Sequence, residues 1–433
     1  MSATKKLLFN SSIVFVGTFI GSVFSYLFNM LMGRQLGPTY YGEMTALLSL
    51  WTIASVAGGA IVTVSMRYSS ELYAENQYLA LKKLFLFLSK YVFIFGLVVF
   101  IIGLILVEPI KDFLSIGSFW PIIITLSAVV FTLLSFINKG FLQGIQKFGQ
   151  VSFIGILDSS LRLGLGLGLV ALGFSLNGAM SGVLLATAIV YFYTFFPLRK
   201  VLRSSKSQQS QTSFKFDKKE IISYSWPTLI AAVFLVLATN LDIVLVKHYF
   251  SPEQAGLYSA VSTIAKIIIY ITAPVIPVMF PMVSAQQIKG EKHYRIFLFS
   301  IVLALLVSLA VLAIYIIAPQ TVISILYGSK YLPYYALLPL LGVAFLFYSL
   351  INIIVNYYLA IKNFVFLWFF GLILGIQLIV VSFWHPSLES IAKTLIMTNG
   401  ALFVLMFGYY LLTKKQQIIE QLKNQRTKEN ATS

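Results

Sequence analysis

Long uninterrupted blocks of apolar residues dominate this 433-residue chain. A helix needs about 20 apolar residues to cross the hydrocarbon core of a bilayer, because every backbone polar group must find its partner inside the segment. Hydrophobic residues make up 59% of the chain and charged residues only 10%, which is typical of a protein that crosses the membrane many times. The sequence therefore predicts an all-α integral membrane protein.

Twelve blocks are long enough to span a membrane, and short polar turns separate them. We predict spans at residues 8–33, 42–66, 84–107, 119–138, 151–172, 176–198, 221–246, 255–285, 294–318, 333–361, 364–384 and 389–412. The first block is too long for a cleavable signal peptide, and no small-residue cleavage site follows it. We therefore expect it to be the first transmembrane helix.

The basic residues are distributed unequally between the two sets of loops. With a cytoplasmic N-terminus, 23 of the 31 Lys and Arg residues lie in inside segments and only four in outside loops. By the positive-inside rule, both termini are expected in the cytoplasm and the protein in the cell membrane. The formal charge of +17 then reflects topology and attraction to anionic lipids. Because the basic residues are dispersed over several loops, a nucleic-acid partner is not expected.

Residue types that carry common catalytic chemistry are scarce. The chain has no cysteine, and its three histidines, His248, His293 and His385, fall in three different predicted loops. There is no nucleophile elbow, phosphate-binding loop or zinc motif. We therefore expect a protein that is not an enzyme, with no catalytic residue, no metal and no cofactor.

The two halves of the chain resemble each other. A shift of 214 positions places Pro38 on Pro252 and Gly42 on Gly256. With a slowly drifting offset, "EPIKDFLSIGSFWP" then falls on "APQTVISILYGSKYLP". Each half contains an even number of predicted spans, so both run in the same direction through the membrane. The repeat is therefore parallel, with its axis along the membrane normal, and transporters with such repeats bind substrate at the repeat interface.

A polar segment rich in Ser and Gln separates the halves and resembles a flexible connector. We predict an N-terminal six-helix bundle at residues 1–198, a cytoplasmic linker at 199–220, a C-terminal six-helix bundle at 221–412 and a cytoplasmic tail at 413–433. A central cavity is expected between the two bundles.

Several stretches resemble a known superfamily. "MLMGRQLGPTYYGEMTALLSL", followed by a Gly-rich second span that ends in "MRYSSELY", is similar to the N-terminal pattern of polysaccharide and oligosaccharide flippases. These belong to the multidrug/oligosaccharidyl-lipid/polysaccharide exporter superfamily. "SWPTLIAAVFLVLATNLDIVLVKHYFSPEQAGLYSAVSTI" in the second half and "FLQGIQKFG" after the fourth span also resemble it.

The resemblance implies two six-helix bundles around a cavity that opens alternately to each side. It also implies a substrate, an oligosaccharide on a polyprenyl phosphate or pyrophosphate, moved from the inner to the outer leaflet for surface glycan synthesis. Membrane lipids, and a glycan polymerase or glycosyltransferases, are the partners that such a flippase would have.

Charged residues inside the predicted spans are the best candidates for substrate contacts. A charge near the bilayer centre costs roughly 2.5–3.5 kcal/mol on insertion scales, so such residues usually face an interior. Lys266 lies eleven residues into the eighth span. It is expected either to bind the substrate phosphate or to pair with Asp242 on the preceding span. Arg162 follows Asp158 by one helical turn, so these two can pair with each other or serve the substrate.

Two further arginines stand at span ends. Arg67 ends the second span on the inside, where an arriving phosphate would be met first, and Arg34 lies on the outside against the positive-inside rule. Both are candidate phosphate ligands. Asp158 and Asp242 are also candidates for coupling to Na⁺ or H⁺, with the membrane potential as the alternative driving force.

Three prolines, Pro274, Pro277 and Pro281, crowd the inner part of the eighth span. Proline removes a backbone donor and clashes with the preceding turn. We predict a kinked or broken helix here, which is either a mobile gate or a static bend.

Two other functions stay open. The first is a drug or small-cation exporter of the same superfamily. Those exporters resemble one another in carrying an acid in the first span, which this chain lacks, but Asp242 keeps the alternative open. The second is a polyprenyl-dependent glycosyltransferase or polymerase, which is disfavoured because the longest outer segment has only about 14 residues.

Overall fold

The computed structural model describes the backbone of residues 3–203, 218–289 and 293–432, and the side chains of residues 16–199, 226–287 and 293–413. Within these residues all regular structure is helical. The α-helices are α1 Ala3–Ala54, α2 Gly58–Ala74, α3 Tyr78–Ile105, α4 Val107–Phe113, α5 Trp120–Gly144, α6 Phe148–Leu169, α7 Ser175–Arg203, α8 Lys218–Tyr249, α9 Pro252–Ala265, α10 Ile267–Thr272, α11 Val275–Lys289, α12 Tyr294–Ile317, α13 Pro319–Leu326, α14 Leu337–Ala360, α15 Phe366–Phe383 and α16 Leu388–Thr432. A π-helical turn, Val170–Phe174, joins α6 to α7, and a 3₁₀ helix, Ser329–Tyr334, follows α13. Residues 204–217 of the predicted linker lie outside the described residues.

Ten helical stretches of the described residues are long and apolar enough to cross a membrane. Two of them cover parts of two predicted spans each, and a glycine with positive φ lies between the two spans in both cases. These are Gly37 in α1, with φ 72°, and Gly173 between α6 and α7, with φ 93°. Glycine adopts this conformation without the steric penalty of a Cβ. All twelve predicted spans fall on helices, and the prediction of an all-α membrane protein is confirmed.

The repeat is visible in the order of the helices. In the first half a long helix, α3, is followed by the short helix α4; in the second half α12 is followed in the same way by α13. Two long helices come next in each half, α5 and α6 or α14 and α15. The repeated-bundle architecture is therefore confirmed. The short helices were not predicted, since seven or eight residues are too few to show a periodic apolar pattern.

By packing, the chain forms two compact units. The first comprises Met1–Ile264 and Ala318–Ala336, and the second comprises Ala265–Ile317 and Leu337–Ser433. These units do not coincide with the two halves of the sequence repeat. The boundaries of the two six-helix bundles, the linker and the tail stay predictions, as does the central cavity.

Small residues allow close helix packing in the first unit. A Cβ on Gly140 of α5 would lie 2.5 Å from the Ser65 Cβ of α2, and a Cβ on Gly182 of α7 would lie 2.5 Å from the Gly166 backbone of α6. In a bilayer, helices associate through such close contacts because lipid offers no hydrophobic drive. The crossing of α6 and α7 therefore depends on Gly182.

Helix α14 forms the centre of the second unit, and most of its residues are buried. Polar contacts between helices accompany this packing. The Asn399 Nδ2 of α16 donates to the Ala344 carbonyl of α14 at 3.1 Å, and the Thr398 hydroxyl donates to Gln377 Oε1 of α15 at 3.1 Å. These bonds satisfy amide groups that water cannot reach in the membrane.

We expect Gly182→Ala to lower the melting temperature of the purified protein in detergent. The added methyl group meets backbone of α6 that cannot move aside, and such overpacking costs roughly 1–3 kcal/mol. The matched control is Gly164→Ala on α6, where a Cβ would meet no atom within 4 Å. An equal melting temperature for both variants would contradict the packing described here.

Candidate functional site

In the first unit, the repeat-related hairpins meet at one side, which we call the Gly37 side. A Cβ on Gly42 would lie 2.8 Å from the Gly256 backbone nitrogen, and a Cβ on Gly256 would overlap the Pro38 carbonyl oxygen. The repeat aligns these two glycines with each other. Equivalent residues that contact each other lie beside the two-fold axis that relates them. The glycines of the two hairpins thus permit direct backbone contact between the halves.

A pair of buried opposite charges lies beside this contact. Glu43 is 6% exposed and Lys247 is 1% exposed, and the two side chains attract each other electrostatically. The backbone N–H of Gly117 donates a hydrogen bond to the Glu43 carboxylate. Among the described residues, Lys247 Nζ has no hydrogen-bond partner. The pair therefore links three segments: α1 after Gly37, the end of α8 and the loop before α5.

Sequence reasoning missed this pair. By sequence, Lys247 is one of the four basic residues in outside loops, and Glu43 is an acid of the first outer hairpin. One signal could have found them. Glu43 directly follows the aligned Gly42, and Lys247 comes shortly before the aligned Pro252, so both lie near the positions where the halves are expected to approach each other.

Arg34 and His248, which the repeat aligns, make equivalent contacts. Arg34 Nε donates to the Leu326 carbonyl at 3.0 Å and Nη2 donates to the Ile325 carbonyl, both in the last turn of α13. His248 Nδ1 donates to the carbonyl of Phe113, the last residue of α4, at 2.8 Å. Each hairpin thus caps the short helix of the opposite half. The dipole of α13 also favours the positive charge of Arg34 at this helix end.

Three buried tyrosines hold the segment after α13 against α1. The hydroxyl groups of Tyr41 and Tyr327 lie 2.9 Å apart, and the Tyr331 hydroxyl donates to the Gly33 carbonyl at 2.6 Å. Burial, reinforced by Tyr41, raises the pKa of Tyr327 well above its ordinary value. Tyr327 therefore stays neutral and can donate a hydrogen bond at physiological pH.

A second group of side chains surrounds Arg162. Arg162 Nη2 lies 2.6 Å from Asp158 Oδ2, so the ion pair that the spacing allows is formed. The guanidinium carbon lies 4.8 Å from the centre of the Trp51 ring. Trp51 Nε1 in turn donates to the Thr132 hydroxyl at 2.9 Å, which fixes the ring. The roles of Arg162 with substrate and of Asp158 in coupling stay predictions.

Asp242 of α8 is 2% exposed and accepts hydrogen bonds from α9. The Ser262 hydroxyl donates to Asp242 Oδ2 at 2.8 Å, and the Tyr258 hydroxyl donates to the same oxygen at 3.2 Å. These two hydrogen bonds join α8 to α9. The roles predicted for Asp242, in coupling or in pairing with Lys266, stay predictions.

In the second unit, Lys266 lies at a one-residue interruption of the eighth predicted span, where its own backbone angles stay helical. Helix α9 ends at Ala265 and α10 begins at Ile267. The Lys266 side chain is 8% exposed, and its Nζ lies 5.3 Å from the centre of the Phe345 ring. An ammonium group over an aromatic face is stabilised by the ring quadrupole. The position suits a cation kept inside a membrane protein, and phosphate binding stays a prediction.

The three prolines lie around a second interruption of the same span. Pro274 lies between α10 and α11, Pro277 is in the first turn of α11 and Pro281 is inside α11. The predicted break of the helix is therefore present, and its role as a gate stays a prediction.

Arg67, on α2, is exposed, and its phosphate contact also stays a prediction. The part of the chain that is described contains no group of three or more acids and histidines that could hold a metal ion.

Comparisons with known proteins agree with this fold. A sequence profile of the family described as polysaccharide biosynthesis protein matches residues 31–336. An inward-facing multidrug resistance MATE family transporter of the MOP superfamily is similar with a TM-score of 0.74 and 14% identity, over 92% of this chain and 96% of that one. The lipid II flippase MurJ in an inward closed conformation is similar with a TM-score of 0.72 and 15% identity, over 92% and 87%. By sequence, no curated protein matches the chain.

We expect Arg34→Ala to speed amide hydrogen exchange in α13, because the last carbonyls of that helix lose a charged donor. Hydrogen bonds to charged groups contribute roughly 1.5–3 kcal/mol, so exchange should rise about tenfold or more. His248→Ala is the matched variant, and it should speed amide hydrogen exchange in α4 instead. Mass spectrometry of peptides covering the two short helices measures both. Equal exchange of α13 in Arg34→Ala and parent would contradict the cap.

Proposed function

Because the chain belongs to the polysaccharide biosynthesis protein family, we propose that it moves a lipid-linked oligosaccharide across the cell membrane. The protein is a multi-pass membrane protein with the fold of MOP-superfamily transporters and flippases. The proposed substrate is an oligosaccharide on a polyprenyl phosphate or pyrophosphate. It enters from the inner leaflet, leaves to the outer leaflet and supplies surface glycan synthesis. The reaction is transport, and no bond of the substrate is made or broken.

Lys266 is the observation that carries this proposal. A lysine that is 8% exposed inside a predicted span is expensive to bury, and charged residues at such positions commonly serve a function. An anionic substrate offers that function, because a phosphate oxygen accepts a charge-assisted hydrogen bond from the ammonium group. Phe345, next to Lys266 Nζ, holds the cation in place before substrate arrives.

Arg162 and Trp51 offer a second contact of the same chemistry. The arginine keeps donors beyond the one bound to Asp158, since a guanidinium group has five N–H donors. The Trp51 ring supplies an aromatic face of the kind on which sugar rings stack. Arg67 is proposed to meet the phosphate on entry and Arg34 on exit.

The membrane potential is the simplest driving force for this transport. With a negative interior, moving two negative charges outward is favoured by roughly 4.6 kcal/mol at 100 mV, from about 2.3 kcal/mol per charge. Asp158 and Asp242 are the residues through which Na⁺ or H⁺ could be coupled. The breaks at Lys266 and Pro274 are proposed as the hinge points of the cycle, with Pro277 and Pro281 stiffening the helix beyond them.

The proposal also gives the protein an orientation and partners. The Gly37 side faces the outside, as the positive-inside count favours, and the termini are cytoplasmic. Membrane lipids surround the spans. A glycan polymerase or glycosyltransferases would supply or use the carried oligosaccharide.

A drug exporter of the same superfamily is the second candidate. Similarity to a multidrug transporter favours it, as does Asp242, a buried acid that could attract a cationic substrate. The two candidates demand opposite charges in the substrate, so one preparation of the protein can distinguish them.

We expect Lys266→Ala to slow translocation of a polyprenyl-pyrophosphate-linked oligosaccharide in proteoliposomes by about tenfold or more, because a charged hydrogen bond to the phosphate is lost. Lys266→Arg should retain more activity, since its guanidinium group can still bind phosphate. The measurement is the rate at which fluorescently labelled substrate becomes accessible to an added glycosidase.

Lys90→Ala is the matched control, because Lys90 is an exposed lysine on α3. It should translocate substrate at the parental rate. A Lys266→Ala protein that is normally inserted and fully active would overturn the phosphate contact. A parent protein that moves no lipid-linked oligosaccharide but transports lipophilic cations would establish the exporter instead.

A further inference from the structure

The buried pair on the Gly37 side is costly to keep. Glu43 and Lys247 are removed from water almost completely, and removing a charge from water costs several kcal/mol. The attraction between them repays this cost only where hydrogen bonds complete the site. Here Glu43 accepts one from Gly117, whereas Lys247 Nζ has none among the described residues. The closed arrangement therefore holds a desolvation cost that hydration of the pair would release.

The location of the pair decides what that release would do. Glu43 follows Gly42 on α1, and Lys247 precedes the hairpin that carries Gly256. Those two glycines lie in backbone contact, so separation of the hairpins would break the glycine contact and admit water to both charges together. Packing lost between the hairpins would be offset by hydration gained by Glu43 and Lys247.

We propose that Glu43 and Lys247 form a poised ionic latch that lets the Gly37 side of the first unit open during transport. The latch rests on the protein being a transporter and is independent of which substrate it carries. The attraction between the two charges keeps the closed state available, and their desolvation prevents that state from becoming too stable to leave. The pair thus acts on the transport cycle without touching the substrate.

Single and double replacements should have opposite effects. Replacing Lys247 alone leaves a buried carboxylate without its counter-charge, and breaking a buried pair in this way is strongly destabilising. The equilibrium should then shift from the closed state toward the open state. Replacing both residues by apolar ones of similar volume removes the desolvation cost, and such replacements are often stabilising. The double variant should therefore stay closed.

The absence of cysteine from the chain makes the test direct. Ser259→Cys introduces a single thiol at a side chain that is 1% exposed on α9. Ser259 lies three residues after Gly256 and four before Thr263, which accepts a hydrogen bond from the Tyr41 hydroxyl, so it belongs to the face of α9 that meets α1. The full chain in proteoliposomes, without substrate, is treated with a membrane-impermeant maleimide.

We expect Lys247→Met to raise the labelling rate of the introduced thiol by about tenfold or more, because the free-energy cost of breaking the buried pair exceeds that of a tenfold shift. Glu43→Gln should raise the labelling rate to a smaller extent. The double variant Glu43→Leu with Lys247→Met should label at or below the parental rate. The charge exchange Glu43→Lys with Lys247→Glu should bring labelling back toward that rate.

Two controls accompany the test. Glu253→Gln removes an exposed acid from the start of α9 and should leave labelling unchanged. Ser251→Cys places the thiol at an exposed position of the same hairpin and should label rapidly in every background, which reports correct insertion. Unchanged labelling in Lys247→Met, or equal increases in the single and double variants, would overturn the latch. Neither outcome would bear on the phosphate contact of Lys266.

Discussion

The interior of a bilayer contains no water to pair with a polar group, and the rest of this structure depends on that constraint. It forces the backbone into helices, and glycines with positive φ such as Gly37 and Gly173 lie between predicted spans. It also acts on side chains. Asp242 accepts two hydroxyl groups, Arg162 pairs with Asp158, and Lys266 lies over an aromatic ring. These three charges have contacts whose chemistry can be named.

The same constraint explains what the sequence could predict. Apolar blocks of about 20 residues mark the spans, because few other solutions exist in lipid, and all twelve fall on helices. The pairing of Asp158 with Arg162 was also predictable, since it lies within one helix and needs only a spacing of four. The repeat could be read from aligned Pro and Gly residues, because both hairpins need the same close approach at Gly42 and Gly256.

Contacts between distant segments could not be predicted in this way. Arg34 was interpreted as an exception to the positive-inside rule, whereas the structure engages it with the end of α13, almost 300 residues away. The attraction between Glu43 and Lys247 depends on how two hairpins fold against each other, which no local pattern specifies. For the same reason, the three prolines indicated a break in the eighth span, but not the separate break at Lys266.

The two halves share their contacts more than their residue types. Arg34 and His248 differ chemically and yet cap equivalent helices. The two residues therefore differ in the strength of the cap and not in their role. The two buried charges, Glu43 and Lys247, are a deeper departure from symmetry. The repeat aligns Glu43 with Leu257 and Lys247 with Gly33, and the Gly33 position is filled by the ring of Tyr327 instead. A two-fold axis would produce two such pairs, and each would add its own desolvation cost. One charged pair opposite one aromatic contact keeps the hairpins together while leaving only a single cost to be released on opening.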